Sequence, residues 1–456
     1  MAAQQSAFRP SLSRILLGLA GVFFLSIAWS SRSGGAGLSA LVDVLVPTAI
    51  GSFIVSVGLL GGAEVRVKTL VASVSTIVSL VVADVALVKL LTPVVLDPPR
   101  APLLDMDRMI ESLAKDGIDA YPRYGAHLFE TVLGRKGIAA SEAPVMPLAG
   151  VSGSMLLHED EVCCWNSFRL DEHGFNNDAG AHRSSPDLVV LVGDSFAAGA
   201  GVGREDNVAT NLARRAGKVL NLGISGNGPL AEYAILREYG LPLRPRDVVW
   251  VYFEGNDLAD LGRELASPIA SYLDEGHSQG LRDRQDEVDS FLGPTLKTLR
   301  AETWCPPEQA RLAARQAYRL RKVRNLLRAA TGTATTQEVP DSRFFCHLLG
   351  RVARDVSAAG GRLWFVYMPA ADRFHPSRMV RARIDALHDP VKEWILSCLK
   401  GAGVTTLDLL AAMREESDPR AFYPTAPPTG HLNAAGYRFA ADRIEAMMKQ
   451  GERESP

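Results

Sequence analysis

Five short apolar runs constrain this chain more than any other feature. They read DLVVLVGDS (187–195), KVLNLGIS (218–225), DVVWVYFEGND (247–257), RLWFVYMP (362–369) and the weaker VTTLDLL (404–410). Helical-looking segments such as NVATNLARRAG and LAEYAILREYG lie between them. Near-continuous apolar strands alternating with amphipathic helices predict an α/β fold, with a parallel sheet covered on both faces. Polar residues and glycines gather where each strand ends, and open sheets of this kind bind ligands at that edge.

The first hundred residues are of another kind. Apolar stretches cover 15–30, 38–60 and 69–92. A spanning helix takes about 20 mostly apolar residues, so this region predicts three transmembrane helices within residues 1–95. The first stretch, preceded by Arg9 and Arg14, also has the outline of a signal peptide. Two further apolar segments follow at once, and a retained helix is the better reading. Arg9 and Arg14 before the first stretch, and Arg66 and Lys68 between the second and third, outweigh the lone Arg32 of the first loop. By the positive-inside bias the amino terminus is cytoplasmic, and everything after residue 95 lies outside the cytoplasm. The expected location is therefore the cell (inner) membrane, with a periplasmic globular part. Residues 96–185 read as a juxtamembrane linker and lead-in, and 186–450 as the main domain with a helical insertion at about 258–345.

The whole chain has 456 residues and a formal net charge of −2, so no global basic field recruits nucleic acid. Within the insertion, Arg311, Arg315 and Arg319 share one helix face. Such a charge run is ordinarily a solvated face, the alternative being a cap or an anionic contact. Cys163, Cys164, Cys305, Cys346 and Cys398 show no metal-ligand spacing, and disulfide pairing is not readable from their positions. GVGRED (201–206) lacks the third glycine of a dinucleotide fingerprint and follows no strand. No cofactor and no metal are implied.

Chemistry concentrates in four blocks. Gly193-Asp194-Ser195 puts a serine at the turn from a buried strand into a helix, where the hydroxyl is exposed and the helix amino terminus offers amides. Asn221-Leu222-Gly223-Ile224-Ser225-Gly226, Glu254-Gly255-Asn256-Asp257 and Gly430-His431-Leu432-Asn433 follow the second strand, the third strand and the last apolar run. In this order, from about Trp165 to Met447, the blocks resemble the SGNH/GDSL hydrolase superfamily. Gly174-Phe175 also looks like the lead-in of membrane-attached bacterial members.

The resemblance implies a flavodoxin-like parallel sheet and a membrane-anchored serine esterase. Ser195 matches the nucleophile and His431 the general base; the Ser195 amide, the Gly226 amide and the Asn256 side chain match the oxyanion donors. Asp194 reads as a turn-stabilising carboxylate. The physics agrees with these roles. Serine needs an adjacent base, histidine titrates near neutrality, and fixed donors meet the charge that grows on the acyl oxygen.

One departure matters. Many members carry an aspartate two or three residues before the histidine, whereas this chain has Thr429 and Pro428. His431 then works in a dyad with Thr429 or a carbonyl fixing its tautomer, or Glu254 or Asp257 supplies the acid, or catalysis is weak. The implied substrate is an O-acyl, foremost O-acetyl, group on cell-envelope carbohydrate, with lipid esters as the alternative. The sequence does not separate hydrolysis from transfer, and a catalytically weak polysaccharide-binding or complex-forming module is the alternative to an active enzyme. Envelope-polymer assembly proteins are the implied partners.

Overall fold

The computed structural model describes residues 13–22, 24–25, 46–91, 103–122, 133, 136–139, 142–159, 165–299, 342–424 and 430–454. Two compact units emerge, one containing Met1–Val94 and the other Val95–Thr303 with Gln337–Pro456. Thr429 and the arginine-bearing segment with Arg311, Arg315 and Arg319 lie outside the described residues.

In the first unit, helix α1 (Val46–Leu60) is followed by α2 (Ala63–Leu91). Helical residues 13–22 lie against α1, and a Cβ on Gly51 would sit 2.9 Å from the Gly21 carbonyl oxygen. Among the described residues no helix is long and apolar enough to cross a membrane, so the expected three transmembrane helices are not shown. The first turns of α2 carry Glu64, Arg66 and Lys68, with Glu64 and Lys68 paired at 2.6 Å. Both helices nevertheless expose large apolar side chains, among them Phe53, Leu59, Leu60 and Val71.

The second unit opens with α3 (Leu103–Lys115) and a small sheet of β1 (Ala120–Pro122), β2 (Met155–Glu159) and β3 (Trp165–Arg169). The main sheet holds β4 (Val189–Gly193), β5 (Val219–Asn221), β6 (Asp247–Phe253), β7 (Arg362–Met368) and β8 (Thr405–Asp408). All its pairings are parallel, in the order β5-β4-β6-β7-β8. This is the doubly wound order 2-1-3-4-5 of flavodoxin-like sheets, and each strand falls within one of the five apolar runs.

Period-two alternation explains why β4, β6 and β7 are apolar on both faces. Val190, Val192, Val248, Trp250, Phe365 and Tyr367 point into one core; Val189, Leu191, Val249, Val251, Trp364 and Val366 point into the other. Helices cover both faces: α4 (Ser195–Ala198), α5 (Val208–Ala216), α6 (Pro229–Ile235), α7 (Asp257–Glu264), α8 (Gln285–Leu299), α9 (Ser342–Ala358), α10 (Arg378–Gly401), α11 (Leu409–Arg414) and α12 (Ala434–Glu454). Cys346 of α9 and Cys398 of α10 form a disulfide.

Glu254, offered by the sequence as a partner for His431, is committed elsewhere. Its carboxylate accepts from Arg373 Nε and Nη2, both at 2.8 Å, from the Ala370 amide at 2.8 Å and from the Tyr367 hydroxyl. Arg373 is fully buried and reaches Asp385 and Asp389 as well. Removing one member of such a pair strands a buried charge. Arg373→Ala is expected to lower stability by about 3–5 kcal/mol, read as a shift in the denaturant midpoint. A midpoint unchanged from the native chain contradicts this account of the network.

Candidate active site

The nucleophile candidate is set by the end of β4. Gly193 takes φ 154°, and a Cβ there would meet the Val251 carbonyl oxygen at 2.7 Å and Ala197 Cβ at 2.9 Å. Glycine alone lets the strand turn so closely beside β6. Asp194 caps α4, its buried carboxylate accepting from the Phe196 amide at 2.9 Å. Ser195 follows as the first helical residue, with its Oγ 3.2 Å from Asp194 Oδ2. Burial pushes the Asp194 carboxyl above its ordinary value, against the opposing pull of the Phe196 amide and then of His431. Asp194 lies in the turn between β4 and α4.

His431 arrives from the far end of the chain. Its Nε2 lies 2.7 Å from Ser195 Oγ, across 236 residues of sequence. Neighbouring residues of the last block hold it there. Leu432 is fully buried. Asn433 donates through Nδ2 to the Ala421 and Tyr423 carbonyls, and its Oδ1 accepts from the Gly436 amide. The Tyr437 hydroxyl donates to the carbonyl of Ala200, in the loop that follows α4. The Phe196 ring packs 4.8 Å from the imidazole, centroid to centroid.

The placement of the candidate donors follows from strand order. β4 lies between β5 and β6, so the loops leaving those two strands flank Ser195. The loop after β5 is stitched to β4 by the Leu222 amide on Leu191 O and the Ile224 amide on Gly193 O. Gly226 in this loop adopts φ 79°, a left-handed turn that favours glycine. On the other flank, Asn256 precedes α7 and its Nδ2 donates to Asp260 Oδ2 at 2.5 Å. Asp257, the remaining candidate acid for His431, is fully buried under β6 and accepts from the Phe253 amide at 2.8 Å. Burial, then Glu232 and Asp194, hold its carboxyl well above the usual range.

Two further carboxylates, Glu232 and Glu264, are buried near the site and belong to none of the four sequence blocks. Glu232 is buried with both oxygens unpartnered among the described residues, and burial pushes its carboxyl well up. Glu264 accepts from the Gly228 and Leu230 amides at 2.6 and 2.9 Å. The available signal was spacing. Asp257, Asp260 and Glu264 fall at i, i+3 and i+7 on one helix face, a pattern ordinarily read as solvated.

Residues 191–439 match the family described as "GDSL-like Lipase/Acylhydrolase family". The chain is 27% identical over 103 residues to the Pseudomonas aeruginosa protein named "Probable alginate O-acetylase AlgJ", a match covering 23% of this chain and 26% of that protein. The alignment therefore spans about a quarter of that relative's length. Among solved structures, an acetyl xylan esterase, AlAXEase, has a TM-score of 0.32 at 15% identity, covering 57% of this chain and 98% of its own. LAE5, an alpha/beta hydrolase from the metagenome of Lake Arreo, has a TM-score of 0.30 at 14% identity, covering 59% of this chain and 97% of its own.

Burial pushes the Glu264 carboxyl up to about 7, while the Gly228 and Leu230 amides pull it down. The folded chain therefore keeps a proton there in a pH range where the unfolded chain has lost it. Stability from this group is full below the unfolded pKa and declines as pH rises through 7. Glu264→Gln does not ionise. Its melting temperature relative to the native chain should be more favourable at pH 8 than at pH 5, and a difference independent of pH contradicts the shift.

Proposed function

The chain belongs to the GDSL-like lipase/acylhydrolase family, and from that premise we propose a membrane-anchored serine esterase that hydrolyses or transfers O-acyl groups, foremost O-acetyl groups on cell-envelope carbohydrate. The observation that carries this reading is the 2.7 Å approach of His431 Nε2 to Ser195 Oγ at the end of β4. Nucleophile and base within hydrogen-bond reach, beside amide donors, is the arrangement acyl transfer needs.

In the proposed reaction Ser195 Oγ attacks the ester carbonyl carbon while His431 Nε2 takes its proton. The carbonyl π pair moves onto oxygen, where the Ser195 amide, the Gly226 amide and the Asn256 side chain stabilise it. Collapse expels the alcohol, which takes the proton from His431, and leaves Ser195 acylated. Water, or a sugar hydroxyl in a transferase, then attacks the acyl carbon with His431 again as base. The second attack returns Ser195 to its free state. Asp194 supports the turn and carries no proton in this scheme.

The carbohydrate assignment is supported by the partial likeness to a protein named as an alginate O-acetylase. The tether is supported by the three apolar stretches in the first hundred residues and by the exposed apolar faces of α1 and α2. An extracytoplasmic catalytic part is supported by the basic residues before the first stretch and by the Cys346–Cys398 disulfide, a bond of oxidising compartments. Envelope-polymer assembly proteins are the proposed partners, and lipid esters the competing substrates.

With p-nitrophenyl acetate, the purified chain should show ester hydrolysis that falls by at least about 1,000-fold in Ser195→Ala. Equal rates in both proteins would remove the nucleophile assignment and leave the binding-module reading. A reporter active only outside the cytoplasm, fused after residue 100, should be active; a silent fusion contradicts the proposed topology.

A further inference from the structure

We propose that α7 works as a bracket, with Asp260 aiming the Asn256 amide and Glu264 fixing the loop that carries the Gly226 amide. Both are positioning residues, and the inference rests on the reading of Ser195 as nucleophile.

The argument begins with Asn256. Its Nδ2 donates to Asp260 Oδ2, while its Oδ1 is buried with no partner among the described residues. Turning the amide over would set Oδ1 against a carboxylate oxygen, so the orientation is forced. With one amide hydrogen held by Asp260, the direction of the other is fixed by the plane of the group. Asp260 is itself buried and paired with Arg263.

One turn further along the same face, Glu264 takes the amides of Gly228 and Leu230. These lie two and four residues past Gly226. The loop is pressed onto the helix here: a Cβ on Gly228 would meet Asp260 Cβ at 2.7 Å and Glu264 Oε2 at 2.8 Å. The two proposed donors come from loops on opposite flanks of β4. Preorganised donors stabilise a transition state only when their positions are fixed before reaction. A single helix turn, with carboxylates at i and i+4, sets both from one rigid reference.

The test uses the full chain and p-nitrophenyl acetate, with melting curves as a control for folding. Asp260→Ala should lower kcat by about 100-fold and leave KM near the native value, and Asp260→Asn, which keeps an acceptor oxygen, should recover most of the loss. In the Asn256→Ala background Asp260→Ala should cost little more, because the residue it acts through is already gone. Glu264→Ala should lower kcat in both backgrounds, because it acts on the other donor. Where Asp260→Ala fails to fold, Asp260→Val against Asp260→Asn makes the same comparison. Native kcat in the Asp260 and Glu264 variants, or an Asp260 loss that adds in full to that of Asn256→Ala, overturns the bracket alone. Absence of Ser195-dependent turnover in the native chain overturns the nucleophile reading, and the bracket with it.

Discussion

The hydrogen bond between His431 Nε2 and Ser195 Oγ is the contact on which the rest of the site depends. Neither residue can make it alone. Ser195 needs the close turn at Gly193 and the Asp194 cap; His431 needs Leu432 in the core and Tyr437 tied to Ala200. The main sheet supplies the frame. Because β4 runs between β5 and β6, a serine at its tip has a loop on either side, and those loops carry the candidate oxyanion donors.

Burial on both faces of that sheet has an electrostatic consequence. The space under the site holds Asp194, Glu232, Asp257 and Glu264, all with carboxyls pushed upward by loss of water. Like charges crowded in a low-dielectric interior favour protonated forms. The groups with firm partners are those that shape backbone: Asp194 at the turn, Asp257 on the end of β6, Glu264 on the loop after β5. Polar residues here organise the turns that an apolar core could not.

Much of the fold was legible because its signal is local. The runs around Val189, Val219, Val248, Leu363 and Thr405 became the five parallel strands; the inner ones are apolar because both faces are buried, while the edge strand at Thr405 is only partly covered and its run is the weakest. Ser195 and His431 were legible from their blocks, although only the structure brings them together. Other features depend on distant partners. Glu254 reads as a free acid beside the site until Arg373, more than a hundred residues later, is seen to take both its oxygens. Asp260 and Glu264 carry no sequence signal of burial, because burial of a short helix is decided by what packs against it. The small sheet β1-β2-β3 joins short strands of mixed composition, and period alone does not find them. In the first unit the apolar stretches speak for a membrane, whereas among the described residues no helix is long and apolar enough to cross one.

The most direct measurement is the site and base-dependence of covalent capture. After treatment of the full chain with a fluorophosphonate probe, peptide mapping should place the adduct on Ser195, and His431→Ala should slow its formation by orders of magnitude while the protein stays folded. An adduct on another residue, or capture at an unchanged rate without the imidazole, would contradict the account.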